Sequence, residues 1–434
     1  MKINIFWFRR DLRLEDNTGL NKALDSGLPV LPIFIFDDEI INELSPDDAR
    51  VSFIYDRLSR IDKELRKTGS SLYVSKGKPE AVFKKLIASF DIKSVFVNKD
   101  YEPYAIMRDN AVSALLNKKQ ISMMRFRDQV FFEENDVLKP DNKPYTIFTP
   151  YKKKWLSKFL ELSPASNGDR KPGAGNFHNA SSPFPSLEET GFRESVAKVR
   201  PYDLSVIRDY DKYRDLPAED RTSYLSPHLR FGTISIRSLV EVAMQENPVF
   251  LGELIWREFF MQILFHFPNV VTGNFRPVYD DIQWRNNENE FKKWCRGETG
   301  YPIVDAGMRQ LNETGFMHNR VRMITAGFLC KHLLIDWRWG EAYFAQKLLD
   351  YELSSNNGNW QWAAGTGCDA APYFRVFNPE TQQKKFDLKK EYVKRWVKDL
   401  DKPGYPEKMV DHNFARQRAI ATYKNGIKKS LKRS

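Results

Sequence analysis

Asp350-Tyr-Glu-Leu-Ser-Ser-Asn356-Asn-Gly358-Asn-Trp360-Gln-Trp362-Ala-Ala-Gly-Thr-Gly-Cys-Asp-Ala-Ala-Pro372-Tyr-Phe-Arg375 is the stretch on which the rest of the chain turns. Asn356, Asn357, Gly358 and Asn359 oppose a helix, because Asn side chains compete for backbone groups and Gly keeps too much freedom. Trp360 and Trp362 follow, and then small residues that let the backbone approach something closely. Asn offers donors and acceptors together, which suits reading the edge of a heteroaromatic ring. Taken alone, the stretch fits equally a polar turn between two core helices that holds two tryptophans.

Outward from it the chain changes character. From about residue 200 the periodicity is helical and β-type alternation is absent. Ile234–Gln245, Leu251–Phe265, Val304–Glu313 and Arg320–Leu334 all carry apolar residues at helical spacing. Residues 1–130 alternate instead. Ile3–Phe8, Pro29–Phe36, Ser71–Lys76, Lys93–Asn98 and Ser122–Phe126 are short β-rich runs, with helical segments Ala49–Lys67 and Pro79–Phe90 between them. That order predicts an α/β, Rossmann-like, doubly wound parallel sheet followed by an all-α domain over 201–434. Residues 131–200, with turn-forming runs Asn167–Gly175 and Ala180–Ser186, read as a long linker. Parallel sheets bind ligands beyond their strand C-termini. Arg9, Arg10, Asp11 and Arg13 stand there after the first strand, to meet a ligand or to cap the sheet edge. No G-x-G-x-x-G follows that strand, which argues against a standard dinucleotide site.

A chain of 434 residues can bury two cores. Eight of its ten tryptophans lie between Trp256 and Trp396, so the second half uses π-surfaces, for a ligand or simply for its core. The net charge of +11 favours a polyanionic partner, although seven Lys/Arg without an Asp or Glu between Arg416 and Ser434 read as a solvated basic tail. Cys295, Cys330 and Cys368 are far apart and form no CxxC, so neither a zinc site nor a disulfide framework is indicated. With no leader pattern and no apolar run of about 20 residues, a soluble cytoplasmic protein without a metal is expected, and a monomer.

The 350–375 stretch resembles the flavin-binding segment of the photolyase/cryptochrome family. Phe6-Trp7-Phe8-Arg9-Arg10-Asp11-Leu12-Arg13, Trp256-Arg257-Glu258-Phe259, Gly300-Tyr301-Pro302-Ile303-Val304-Asp305 and Met317-His318-Asn319-Arg320 occur in the family's order, and the likeness covers nearly the whole chain. It implies FAD in the helical domain and an antenna chromophore in the first. Tyr101-Glu102 lines up with an antenna-contacting position, so Glu102 is the residue to name. Thr272–Phe275 lacks the family's usual lysine, which leaves open whether an antenna is bound and whether it is methenyltetrahydrofolate or a deazaflavin or flavin.

Read by themselves, Thr222-Ser223-Tyr224-Leu225-Ser226 before Pro227 fit a phosphate cradle or plain N-capping. The resemblance makes them the holders of the FAD diphosphate, with Tyr210 upstream. It adds Phe250, Arg257, Asp350, Tyr351, Glu352 and Asn356 to the flavin site, Asn356 facing the flavin N5. Glu253 and Arg257 are four apart and fit a surface ion pair beside a core aromatic. The resemblance instead has Glu253 hydrogen-bond a pyrimidine dimer and Trp256 stack on it, with Asn319 and Met323 facing the same cavity. His318 reads as structural. Trp284, Trp337 and Trp360 match an electron relay to the flavin. Arg214, Arg257, Arg320, Arg322, Trp362, Arg375, Gln382 and Lys385 match DNA-contacting positions.

These residues resemble most those of class I cyclobutane pyrimidine dimer photolyases, which are carbon–carbon lyases. The function implied is light-driven repair of UV-damaged DNA. Reduced FAD, excited by blue or near-UV light, passes an electron to a flipped-out dimer, which splits and returns it. A cryptochrome-like light sensor without repair is the alternative. Glu253, Asn319, Met323, Asn356 and the short chain end speak against it. A flavin-free nucleic-acid-binding protein would fit the charge and leave the 350–375 likeness unexplained.

Overall fold

In the computed structural model residues 1–162 and 176–433 are described, and Asn167–Gly175 lies outside the described residues. The chain forms two compact units. The first comprises Met1–Val137, Leu156–Tyr202 and Tyr224–Gln245, the second Leu138–Trp155, Asp203–Ser223 and Glu246–Ser434.

The first unit is built on five strands, β1 (Ile3–Phe8), β2 (Val30–Phe36), β3 (Tyr73–Lys76), β4 (Ile92–Asn98) and β5 (Ser122–Phe126), all parallel in the order β3-β2-β1-β4-β5. Helices α1 (Ala49–Arg66), α2 (Pro79–Ser89) and α3 (Pro103–Asn117) cross between them. Both faces of β1 are covered, which is why it reads as an unbroken apolar run. Phe6 and Phe8 belong to one core and Ile3, Ile5 and Trp7 to the other. The strand order reverses between β1 and β4, and a crevice for a ligand belongs at such a switch point.

The second unit is helical. The helices that matter for the site are α4 (Phe148–Glu161), α5 (Pro248–His266), α6 (Pro302–Thr314), α7 (Asn319–Gly327), α8 (Trp337–Lys347), α9 (Leu353–Ala364) and α10 (His412–Leu431). Its main core runs through Trp294, Tyr301, Trp337 and Trp360. Among the described residues no helix is long and apolar enough to cross a membrane.

Three expectations are corrected. The presumed linker contains α4, whose buried Phe148, Tyr151 and Trp155 follow a three-then-four spacing that the surrounding turn-formers obscure. The first turns of α4, through Trp155, belong to the second unit. The basic tail is no loose tail. Most of it is α10, capped by Asp411 and packed through Ala415, Ala419, Tyr423 and Gly426. Small residues at near-helical spacing let that face lie close, with a Cβ at Gly426 only 3.1 Å from the Ile282 backbone. Finally, Asn356–Asn359 do not break a helix; all four lie inside α9. Tertiary partners overrule the propensity. Asn357 donates to the Val270 carbonyl at 2.9 Å and Asn356 to Glu341 Oε1 at 2.9 Å, while exposed Asn359 donates back to the Ser355 carbonyl of its own helix at 2.8 Å.

Candidate active site

Helix α5 carries the expected dimer-reading residues. Asn247 starts it, accepting the amides of Val249 and Phe250. Glu253 and Arg257 do not pair with each other. Glu253 binds Arg214 at 2.8 Å and Arg257 binds Glu352 at 3.1 Å, so each closes a contact distant in sequence. Burial opposes the charge on Arg214, but Glu253, Tyr210 and Asp215 together outweigh it and raise the guanidinium above its ordinary value. Arg214 also lies over the Tyr210 ring, which meets Phe250 edge-on at 5.1 Å. Burial and then Glu253 raise the Tyr210 phenol well above its ordinary value.

Trp256, half-buried on the same helix, stacks on Phe148 of α4 with ring centroids 3.7 Å apart and planes 8° apart. Nothing in the sequence singled out Phe148, because the contact joins positions more than a hundred residues apart. The α4–α5 packing continues through Tyr151 on Phe259 at 5.3 Å and the Trp155 indole N–H donating to buried Glu258 at 2.6 Å.

The entry to α9 gathers the expected flavin-binding residues. Glu352 stands at its start, accepting from Ser355 Oγ at 3.1 Å as well as from Arg257. Asp350 accepts both terminal nitrogens of Arg322, at 3.2 and 2.9 Å, while Tyr351 packs on the main core. Beside them the Ser354 hydroxyl is buried with no partner among the described residues. A buried orphan hydroxyl among a guanidinium, carboxylates and the Asn356 amide suits a polar ligand such as FAD. Glu341, which takes the Asn356 amide, has its carboxyl raised by burial.

Helix α7 starts at exposed Asn319, and Met323 one turn on is half-buried. Arg320 between them pairs with Asp215 at 2.6 Å and lies over Phe386. Thus Arg320 and Arg322 are both held by carboxylates, whereas Arg375 and Lys385 are exposed, and Gln382 and Trp362 half-exposed. His318 caps α7 by accepting the Arg320 amide on Nδ1. Burial lowers its pKa to about 4, against attraction from Asp215. A folded pKa below the free value near 6.5 means stability that is full above pH 6.5 and lost as pH falls toward 4. Two and a half units amount to on the order of 3 kcal/mol. Urea unfolding at pH 7 and pH 4.5 should show that loss, and a His318→Gln variant should lack that part of it. Equal losses in both proteins would remove His318 as the cause.

Trp337 and Trp360 are fully buried in the main core and Trp284 packs against it. Helices α8 and α9 interlock there, since a Cβ on Gly340 would fall 2.1 Å from the Trp360 ring. Trp294, which the sequence left unremarked, meets Trp360 edge-on at 6.2 Å.

The diphosphate-cradle residues divide between the units: Thr222 and Ser223 are in the second, Tyr224, Leu225 and Ser226 in the first. Tyr224 adopts φ +51° with Arg200 over its ring at 4.0 Å, Leu225 is buried and Ser226 exposed. Within the first unit, Glu102 lies beyond the switch point between β1 and β4, 3.0 Å from both Arg10 and Arg230. Asp100 also takes Arg10; burial would raise its carboxyl, but Arg10, Arg108 and Arg230 hold it well below the usual range.

Comparison with known proteins bears on both units. The family described as DNA photolyase matches residues 4–168, and the FAD binding domain of DNA photolyase matches residues 250–404. A deoxyribodipyrimidine photo-lyase of Halobacterium salinarum is 38% identical over 97% of this chain and 98% of its own. The solved bacterial class III photolyase of Agrobacterium tumefaciens superposes with a TM-score of 0.87 at 34% identity, covering 99% of this chain and 98% of its own. The archaeal photolyase of Sulfolobus tokodaii, solved with two FAD molecules and an implied novel light-harvesting cofactor, gives 0.85 at 38% identity over 98% of this chain and all of its own. With the identity sustained from end to end and both family domains in their places, this chain belongs to the DNA photolyase family.

Proposed function

We infer that the protein is a deoxyribodipyrimidine photo-lyase that uses FAD and light to repair pyrimidine dimers in DNA. What supports the reading most directly is α5, where Glu253, fixed by Arg214, stands one turn from a half-exposed tryptophan with a covered face. FAD, bound in its reduced form, supplies the photoexcited electron that opens the cyclobutane ring and takes it back. The chain binds, orients and excludes water. Arg257, Glu352, Ser354 and Asn356 would hold the flavin, joined by Tyr210, Thr222, Ser223, Phe250 and Asp350. Buried Trp360 and Trp337, with Trp284 at the edge of the core, form the proposed path for electrons that reduce the flavin. Trp256 and Trp362 offer π-faces to a lesion extruded from the stack. Glu253 hydrogen-bonds the dimer, with Asn319 and Met323 alongside. Arg375, Lys385 and Gln382 contact DNA phosphates, an interaction that weakens with salt. We assign the antenna to the carboxyl ends of β1 and β4 beside Glu102.

UV-irradiated oligo(dT) should regain its thymine absorbance under light and not in the dark. A Glu253→Gln variant should restore it about tenfold more slowly, the cost of exchanging a charged acceptor for a neutral one. No restoration by a protein whose flavin still photoreduces would overturn the lyase and favour a light sensor.

A further inference from the structure

We propose that Phe148 and Asp369 are positioning residues for the lesion: Phe148 closes one face of Trp256, and Asp369 anchors the helix start that carries Phe148. The inference rests on the reading of Trp256 as the residue that stacks on the dimer.

The ring geometry carries it. Aromatic pairs ordinarily sit offset or edge-on at 4.5–7 Å. Phe148 and Trp256 lie closer and flatter, at 3.7 Å and 8°. Phe148 is 9% exposed, whereas Trp256 keeps part of its surface in solvent. That exposure cannot come from the face against Phe148. Phe259 meets the indole edge-on at 5.5 Å, and Phe260 lies tilted at 5.4 Å. A tryptophan propped on three sides by rings has little freedom to turn, so a base stacking on it orders nothing further. Base–aromatic stacking is worth about 1–3 kcal/mol, and an indole free to swing would return part of that as lost rotamer entropy.

The prop has its own anchor. Phe148 is the first residue of α4, and amides at a helix start have no partner within the helix. Its N–H donates to Asp369 Oδ2 at 3.0 Å, and a carboxylate is favoured at that end by the helix dipole. Asp369 lies five residues past the end of α9, the helix that carries Trp362. The start of α4 thereby ties the support of one lesion-facing tryptophan to the chain that carries the other.

The test measures binding of the FAD-loaded protein, by fluorescence anisotropy, to a labelled oligonucleotide with one thymine dimer and to the same strand undamaged. Phe148→Leu should weaken binding of damaged DNA about tenfold and leave undamaged DNA within twofold. Phe148→Tyr keeps the stacked ring and should retain the discrimination. Asp369→Ala should show the leucine pattern at about threefold, and with Phe148→Tyr it decides the matter if the leucine variant does not fold. Equal weakening on both DNAs, or none, overturns the inference. Trp256→Ala separates the two levels. Lost discrimination there with full discrimination in Phe148→Leu overturns only the role of Phe148. Retained discrimination in Trp256→Ala overturns the stacking reading and this inference with it.

Discussion

Gly358→Ala should cost the protein about 2 kcal/mol or more and much of its bound FAD. Propensity predicts the reverse, since alanine in a helix interior gains about 1 kcal/mol over glycine. Packing decides the sign. A Cβ at 358 would fall 2.2 Å from Phe260 Cδ1 and 2.4 Å from its Cε1, and Phe260 is 6% exposed. Relief needs a shift of the ring or of α9, and overfilling a packed core costs about 1–3 kcal/mol or more. Either shift disturbs something that matters: Phe260 lies against Trp256, and α9 carries Asn356 and Trp360. Asn359→Ala is the control, because it lies in the same helix with its side chain exposed. Thermal unfolding and flavin absorbance after gel filtration measure the outcome. A glycine variant as stable as the parent would show that Phe260 can yield.

Lys331→Met should work the other way and stabilise the protein at neutral pH. The Lys331 ammonium is 2% exposed and is held by the carbonyls of Ala364 at 2.7 Å and Tyr373 at 3.2 Å, with the Tyr423 ring 3.9 Å away. Burial lowers its pKa to about 7. Between that value and the free value near 10.5 the unfolded chain binds more protons, so stability of the parent rises with pH across this window. At pH 7 the penalty is on the order of 4 kcal/mol. Methionine removes the penalty along with two donors. The Ala364 carbonyl still accepts Tyr423 Oη at 2.7 Å, so one acceptor is left to account for, at about 1–3 kcal/mol. A net gain of about 1–3 kcal/mol at pH 7, shrinking by pH 9.5, is expected in urea unfolding. A variant less stable than the parent at pH 7 would mean that the two hydrogen bonds and the ring outweigh the desolvation.

The strands of the first unit were legible almost to the residue, because short apolar runs with β-branched and aromatic residues between turn signals have few other uses. Helices α5 and α6 of the second unit were equally plain. What misled was local composition. The asparagines of 356–359 look like helix breakers until Val270, Glu341 and Ser355 supply partners for their amides. The lysines and arginines after Arg416 drew attention away from Ala415, Ala419 and Tyr423, which seat α10. At the candidate site the sequence offered residue types but not their pairings. Spacing alone suggests Glu253 with Arg257, and the fold gives each a different partner, Arg214 and Glu352. The Phe148–Trp256 stack left no trace in either local pattern.

The interleaved make-up of the two units constrains how the protein is made. The segment Leu138–Trp155 belongs with residues that follow Glu246, while the first unit is finished only by Tyr224–Gln245. A ribosome adding about 5–20 residues each second releases Phe148 some 5–20 s before Trp256 exists to cover it. For that interval the aromatic start of α4 travels on the nascent chain without its mate. It also follows that no cut at a single peptide bond yields both units whole.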